Sequence, residues 1–255
     1  VYYAGVKKIF AVLFSLILVL VLSVSAFAQS ENANIPERNG DYPVPGRPDL
    51  RVRVFVHEPR EKPTSSTLAI CEDPGSSAVV GATNWRLPNT DWKYKINTSS
   101  VPSSVGAANL ASIASNSFSK WTGAISGSSV PNPVPDGTTT KTRNALDYEN
   151  IITWGRTSGS ALGVTYVWYY TATNLVADVD TIMNQKFSWS LGTCSANSYD
   201  AENIIIHELG HWFGLDDEYA GDYVENTMFG YGSKAERKKI TPTNGDKAGI
   251  NLIYP

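Results

Sequence analysis

The chain has 255 residues, a formal net charge of −3, and 42% hydrophobic against 18% charged residues. That is enough apolar content for one large or two small domains, and the near-balanced charge gives no reason to expect nucleic acid or an anionic membrane surface as a partner. Ser, Thr, Asn, Gly and aromatic residues are plentiful, which suits a secreted, β-containing domain better than a helical bundle.

Taken in chain order, Lys7-Lys8 precede a continuous apolar run over 9–24, and Ala26-Phe27-Ala28 forms a small-x-small site. Residues 1–28 therefore read as a secretory signal peptide cleaved after Ala28, with an uncleaved anchor as the alternative. The mature protein is then expected outside the cell, as a monomer, with no stable membrane insertion. Residues 29–80 carry seven prolines and one alternating stretch, Leu50-Arg51-Val52-Arg53-Val54-Phe55-Val56. They read either as a disordered linker with one edge strand or as a propeptide. His57 is expected to be a solvated residue of this segment rather than a metal ligand. Cys71 and Cys194 are the only cysteines, and in an exported protein a lone pair is expected to form a disulfide.

Trp92-Lys93-Tyr94-Lys95-Ile96-Asn97 alternates as a strand. Val105, Leu110, Ile113, Phe118 and Trp121 recur at helical spacing, so 103–121 reads as a long helix capped by Ser103 or Ser104. The Pro/Gly/Thr-rich stretch 127–141 reads as loop flanking a short strand. Strands are expected at 151–154, 163–170 and 176–184. Asp200 is a plausible N-cap for a helix running into the most informative segment of the chain.

That segment, His207-Glu208-Leu209-Gly210-His211-Trp212-Phe213-Gly214-Leu215-Asp216-Asp217, has the form H-E-x-x-H-x-x-G-x-x-D. Residues four apart share a helix face, so His207 and His211 can bring two imidazoles to one cation. Glu208 follows the first histidine, where it can polarise a metal-bound water. Gly214 lets the backbone leave the helix through a left-handed conformation. The turn can carry Asp217 back as a third ligand, leaving a fourth position open, as in a catalytic rather than a structural zinc site. The apolar setting, Ile204-Ile205-Ile206 before and Trp212-Phe213 after, is that of a buried helix, where unliganded histidines would be costly. After Asp217 the chain is expected to be irregular through Met228 and to end in a helix from about Thr243.

These residues resemble the extended zinc motif of the metzincin metallopeptidases, most closely the matrixin branch. Met228, in Glu225-Asn226-Thr227-Met228-Phe229-Gly230-Tyr231, sits where that family carries its methionine turn, on the floor beneath the metal. The segments 161–168, 177–180, 187–190 and 247–254 resemble the family's strands before the zinc helix and its final helix. The similarity spans roughly 81–255 and is specific only near the motif. It implies an α+β fold, with a mixed twisted sheet, a long helix, a zinc-binding helix, a methionine turn and a C-terminal helix. It implies signal peptide, propeptide and catalytic domain at 1–28, 29–80 and 81–255. Most matrixins place a third histidine where this chain has Asp217; aspartate there resembles snapalysin-like members, and Asp216 and Glu218 flank it as competitors. With His57 the only other histidine, a second, structural zinc is not expected.

The resemblance further implies a secreted zinc endopeptidase with one catalytic Zn2+ and Glu208 as general base. A protein or peptide substrate would lie extended along the edge at Ala161-Leu162-Gly163. Tyr231 is read as a wall of the substrate pocket or as a donor to the oxyanion. A structural Ca2+ is typical of the family, with Asp178, Asp180, Asp200 and Glu202 as candidate ligands; solvated surface carboxylates are the equal alternative. A propeptide would occupy the cleft until proteolysis removes it. Cys71 as a zinc-blocking thiolate is the alternative to the disulfide, although Ala69-Ile70-Cys71-Glu72 departs from the matrixin switch motif. From another functional class, an inactive metal-binding interaction module is the alternative, but Glu208 argues against it, since a structural zinc has no use for a general base. Zinc chemistry on a non-peptide carbonyl is a third reading.

Overall fold

The computed structural model describes residues 35–60, 71 and 75–255, so the signal-peptide reading of 1–28 lies outside the described residues. Among them no helix is long and apolar enough to cross a membrane. The fold is α+β. Over the described residues ten strands run in the order β1 Gly40–Val44, β2 Arg47–Pro59, β3 Asp91–Ile96, β4 Asn132–Thr138, β5 Asn150–Gly155, β6 Gly163–Tyr170, β7 Val176–Asn184, β8 Trp189–Ser190, β9 Tyr199–Asp200 and β10 Tyr231–Gly232. Among the described residues three α-helices are interleaved with them: α1 Asn109–Thr122, α2 Ala201–Trp212 and α3 Asn244–Ile253.

The main sheet is ordered β1-β2-β6-β7-β5-β3-β4, with β10 also pairing β2. β7, β5, β3 and β4 run parallel, β6 lies antiparallel to β7, and β2 antiparallel to β6. The three middle strands β5, β6 and β7 are almost wholly buried, as their β-branched and aromatic content leads one to expect. Packed against one face, α1 buries Leu110, Ile113, Phe118 and Trp121. α2 packs against both α1 and the sheet, and every one of its residues but Glu202 is buried, its polar Asn203, His207, Glu208 and His211 included. Trp121 Nε1 donates to the Ile206 carbonyl at 2.8 Å, tying the two helices together. A second apolar cluster, including Val52, Val54, Val56, Val164, Tyr166 and Trp168, fills the opposite face of the sheet around β2 and β6.

Three expectations change. The long helix begins at Asn109, because Gly106 turns the chain at φ 85°, and Ser104 Oγ donates to the Trp189 carbonyl instead of capping. The stretch read as loop holds β4, whose Pro133 and Pro135 are tolerated because the strand lies at the sheet edge. The alternating stretch near Val54 is no edge strand: β2 lies inside the sheet between β1 and β6. β1 and β2 form a hairpin across Pro45-Gly46, with Gly46 at φ 75°, the proline–glycine order of a type II turn. Cys71 and Cys194 are joined as a disulfide with Cα atoms 5.8 Å apart, so the thiolate alternative does not describe this structure.

Candidate metal centre

α2 starts at Asp200, whose carboxylate accepts from the Asn203 N–H at 3.0 Å. The helix presents His207 and His211 on one face and ends at Gly214, where φ is 97° and a Cβ would press to 2.5 Å from the Trp85 carbonyl. The turn returns the chain so that Asp217 Oδ1 lies 3.2 Å from His207 Nε2 and 3.5 Å from His211 Nε2. All three atoms are buried and have no hydrogen-bond partner. The far side of each ring is held, with His207 Nδ1 donating to the Thr227 carbonyl at 2.8 Å and His211 Nδ1 to the Leu215 carbonyl at 2.9 Å. Those bonds fix the tautomer that leaves an Nε2 lone pair aimed at Asp217, as a metal-ligating histidine requires. Burial pushes His207 down to about 4, so it stays neutral. Burial opposes ionisation of Asp217, but His211 outweighs it and holds that carboxyl well below the usual range, just as the Asp217 charge overcomes burial and raises His211 above its ordinary value. Three convergent, otherwise orphaned ligand atoms could hold a metal ion, whose binding would displace the proton that Asp217 favours on His211.

Asp216 and Glu218 face elsewhere. Asp216 pairs with Arg53 Nη2 at 2.9 Å, and Glu218 Oε1 accepts from the Gly81 N–H at 2.7 Å. Tyr219, which no motif singles out, donates its hydroxyl to Asp217 Oδ2 at 3.1 Å and accepts from Asn39 Nδ2 at 2.7 Å. Met228 lies against Gly210, where a Cβ would collide with its sulfur.

Glu208 is fully buried, and burial pushes its carboxyl up to about 7. Its Oε2 accepts from Thr165 Oγ1 at 2.6 Å, Thr165 accepts from Thr181 Oγ1 at 2.8 Å, and Thr181 accepts from Trp212 Nε1 at 2.9 Å. The indole can only donate, so the direction of this chain is set and it ends on the carboxylate. Gly163 makes room for that carboxylate, since a Cβ there would lie 2.7 Å from Oε1. Glu208 Oε1 is left without a hydrogen-bond partner.

The Ala161-Leu162-Gly163 edge is not open. β2 runs along it, with the Leu162 N–H donating to the His57 carbonyl at 2.7 Å and Gly163 opposite His57. Tyr231-Gly232 pairs the same strand from its other side, opposite Glu58-Pro59 and in parallel. Three alternate residues of β2 point at the centre. Arg53 reaches Asp216, Phe55 stacks on the His211 ring at 3.8 Å, and His57 sits edge-on to the His207 ring at 3.9 Å.

The expectation of a solvated His57 is therefore wrong: it is 1% exposed, because its strand is covered on both faces. Burial drives it well below its usual range, and it is neutral. Its Nε2 faces Lys239 Nζ at 3.2 Å and its Nδ1 faces Glu208 Oε1 at 3.5 Å. His57, His207 and Glu208 form a second group at metal-binding spacing. It is the weaker one, since the ammonium occupies the Nε2 lone pair and so leaves Nδ1 carrying the proton. Lys239, also missed from sequence, is fully buried, and burial pushes it down to about 8.

The four calcium candidates do not meet. Asp200 caps α2 and pairs with Arg237, while Glu202 pairs with Lys120 and Arg237. Asp178 and Asp180 on β7 accept backbone N–H groups from Ala145, Asp147 and Tyr148. Among the described residues no cluster of three metal-binding groups includes any of the four.

No family model matches the chain, and no curated protein matches its sequence.

Proposed function

We propose that this chain is a secreted zinc-dependent endopeptidase of the metzincin type, similar to the matrixins, with His207, His211 and Asp217 as ligands and Glu208 as general base. The observation that carries the reading is the convergence of three buried, unpartnered ligand atoms beside a buried carboxylate, beneath an extended strand. Two imidazoles and a carboxylate with one open position are the donor set of a catalytic zinc. When bound, zinc would supply Lewis acidity toward the carbonyl and toward water.

The remaining steps belong to the chain's own residues. β2 indicates how a peptide lies: antiparallel to the 161–163 edge and parallel to Tyr231-Gly232, pairing backbone to backbone without strong sequence demand. Tyr231 contributes backbone pairing there, and its side chain lines a cavity of about 810 Å³ beside Arg60, Ser160 and Tyr219. Glu208 Oε1 takes the proton of the attacking water and delivers it to the leaving nitrogen, while Thr165 holds Oε2. Met228 and Gly210 form the floor beneath the two histidines. β2 sits where the substrate would sit, so the intact chain is the latent form and residues 35–60 are its cover, in keeping with a propeptide. That cover also favours a second reading, a metal-binding module whose site stays closed.

The test is the full chain with a site-specific protease sequence in place of residues 64–67, cut after folding and loaded with zinc. Hydrolysis of casein and quenched peptides should rise at least tenfold on cutting and stop with chelator. Glu208→Gln should abolish it with zinc retained, and Asp217→Ala with zinc lost. A cut chain that holds zinc and hydrolyses nothing would establish the closed module instead.

A further inference from the structure

Lys239 is a buried ammonium with no carboxylate within ion-pairing distance among the described residues. Its donors go to the Phe229 carbonyl, to the Tyr231 carbonyl at 2.8 Å, and to His57 Nε2 at 3.2 Å. The two carbonyls are part of the wall, but the third acceptor is a side chain of β2. The imidazole lies in a narrow pocket. A Cβ on Gly232 would come within 3.0 Å of its Nε2, and within 2.9 Å of the Leu162 and Ile204 side chains that close the sides. His207 forms the side toward the metal ligands. A fully buried cation with no carboxylate in contact, whose strongest opposing charge is Glu236 beyond hydrogen-bond reach, is poorly stabilised, and an anion brought to the replaceable position would complete it.

We propose that this pocket receives the first side chain on the leaving-group side of the scissile bond, and that Lys239 at its base selects a side chain carrying a hydrogen-bond acceptor, glutamate above all. The proposal rests on the endopeptidase reading for the word substrate, whereas the acceptor pocket itself rests on geometry alone. Phe55 and His57 pack on the two ligand histidines, so the metal-binding point lies beneath the segment between them. From residue 57 onward β2 runs toward its pairing with β10, which makes the pocket the first one beyond that point. A glutamate oxygen is as many bonds from Cα as histidine Nε2, while aspartate stops one bond short. Glutamate therefore reaches Lys239, glutamine reaches it without charge, and leucine strands the ammonium. Of the carboxylates that act on Lys239, Glu236 accepts from the Ser233 N–H and Asn203 Nδ2, while Glu208 and Asp217 act at the metal side; none of them contacts Nζ.

Two measurements test this. The first needs no turnover: thermal unfolding of the full chain with His57→Leu, Lys239→Met and both together, and with His57→Gln. Each of the first two should lower Tm, and the double variant should lie above the sum of the single losses. His57→Gln, readable even if Lys239→Met fails to fold, should stay much closer to wild type than His57→Leu. Additive losses, or Gln no better than Leu, would overturn the acceptor pocket. The second uses the cut chain and peptides differing only in the residue after the scissile bond. Glutamate should exceed leucine in kcat/KM at least tenfold, and Lys239→Met should reverse the order. Leucine equal to glutamate, or an order unmoved by Lys239→Met, overturns the specificity claim. Coupling in the unfolding experiment with no peptide turned over overturns the substrate assignment together with the endopeptidase reading, and leaves the acceptor pocket standing.

Discussion

Thr165 Oγ1 donates to Glu208 Oε2 at the end of a chain that begins on the indole of Trp212, one turn further along the helix that carries Glu208. The helix thus holds its own carboxylate through two strands of the sheet, leaving Oε1 free to carry a proton. Removing the hydroxyl should misplace the base without touching substrate or metal ligands. Thr165→Val is expected to lower kcat roughly tenfold with KM little changed, and Thr165→Ser to restore it. Steady-state kinetics on the cut chain checks this; a KM effect alone would assign Thr165 to substrate binding instead. The convergence of His207, His211 and Asp217 was legible in sequence because it depends on local spacing: i, i+4 for the histidines, and a left-handed glycine before Asp217. Thr165, Thr181 and Lys239 were not legible, because strand pairing and helix packing bring them to the site from far along the chain.

At the scale of elements, β5, β6, β7 and α2 match the sequence reading closely, since each is a run of β-branched, aromatic or apolar residues bounded by turn or capping residues. β2 did not, because alternation of Val52, Val54 and Val56 describes one face only. Phe55 and His57 look solvent-facing until the partner that covers them is known. Two carboxylates on β7 give that strand a pH dependence. Burial pushes Asp178 up to about 7 and Asp180 well above the usual range, with each other, Asp147 and Tyr166 as facing groups. Because both folded-state values lie above the unfolded value, the protonated forms favour the fold. Their contribution is full below about pH 4 and is lost as pH rises through 7. In calcium-free buffer stability should fall by roughly 1–3 kcal/mol between pH 5 and 8, with a shallower slope in Asp180→Asn. Urea unfolding across that range checks it. A flat profile would contradict it, and a slope abolished by added calcium would assign the pair to a cation.

On the scale of the whole molecule, the sheet continues without a break from the strands around α2 into β1 and β2, while residue 71, past those two strands, is held covalently. The Cys71–Cys194 bond spans a sequence separation of 123 and ties residue 71 to the loop ahead of α2. Cutting between 60 and 71 would leave only the cover held by hydrogen bonds and packing. Replacing both cysteines with serine should cost about 2–5 kcal/mol in urea unfolding, most of it through a freer unfolded chain. No measurable loss would mean the bond constrains little. The pairing of the two cysteines was readable from their number and the expected export, whereas the laying of residues 35–60 over His207 and His211 was readable only as an analogy.

The most direct measurement is anomalous diffraction at the zinc edge from crystals of the zinc-loaded full chain. One zinc should bind between His207 Nε2, His211 Nε2 and Asp217, with Glu208 outside the ligand shell. An ion seated instead between His57, His207 and Glu208, or no ion at saturating zinc, would contradict the ligand set and the hydrolytic chemistry built upon it.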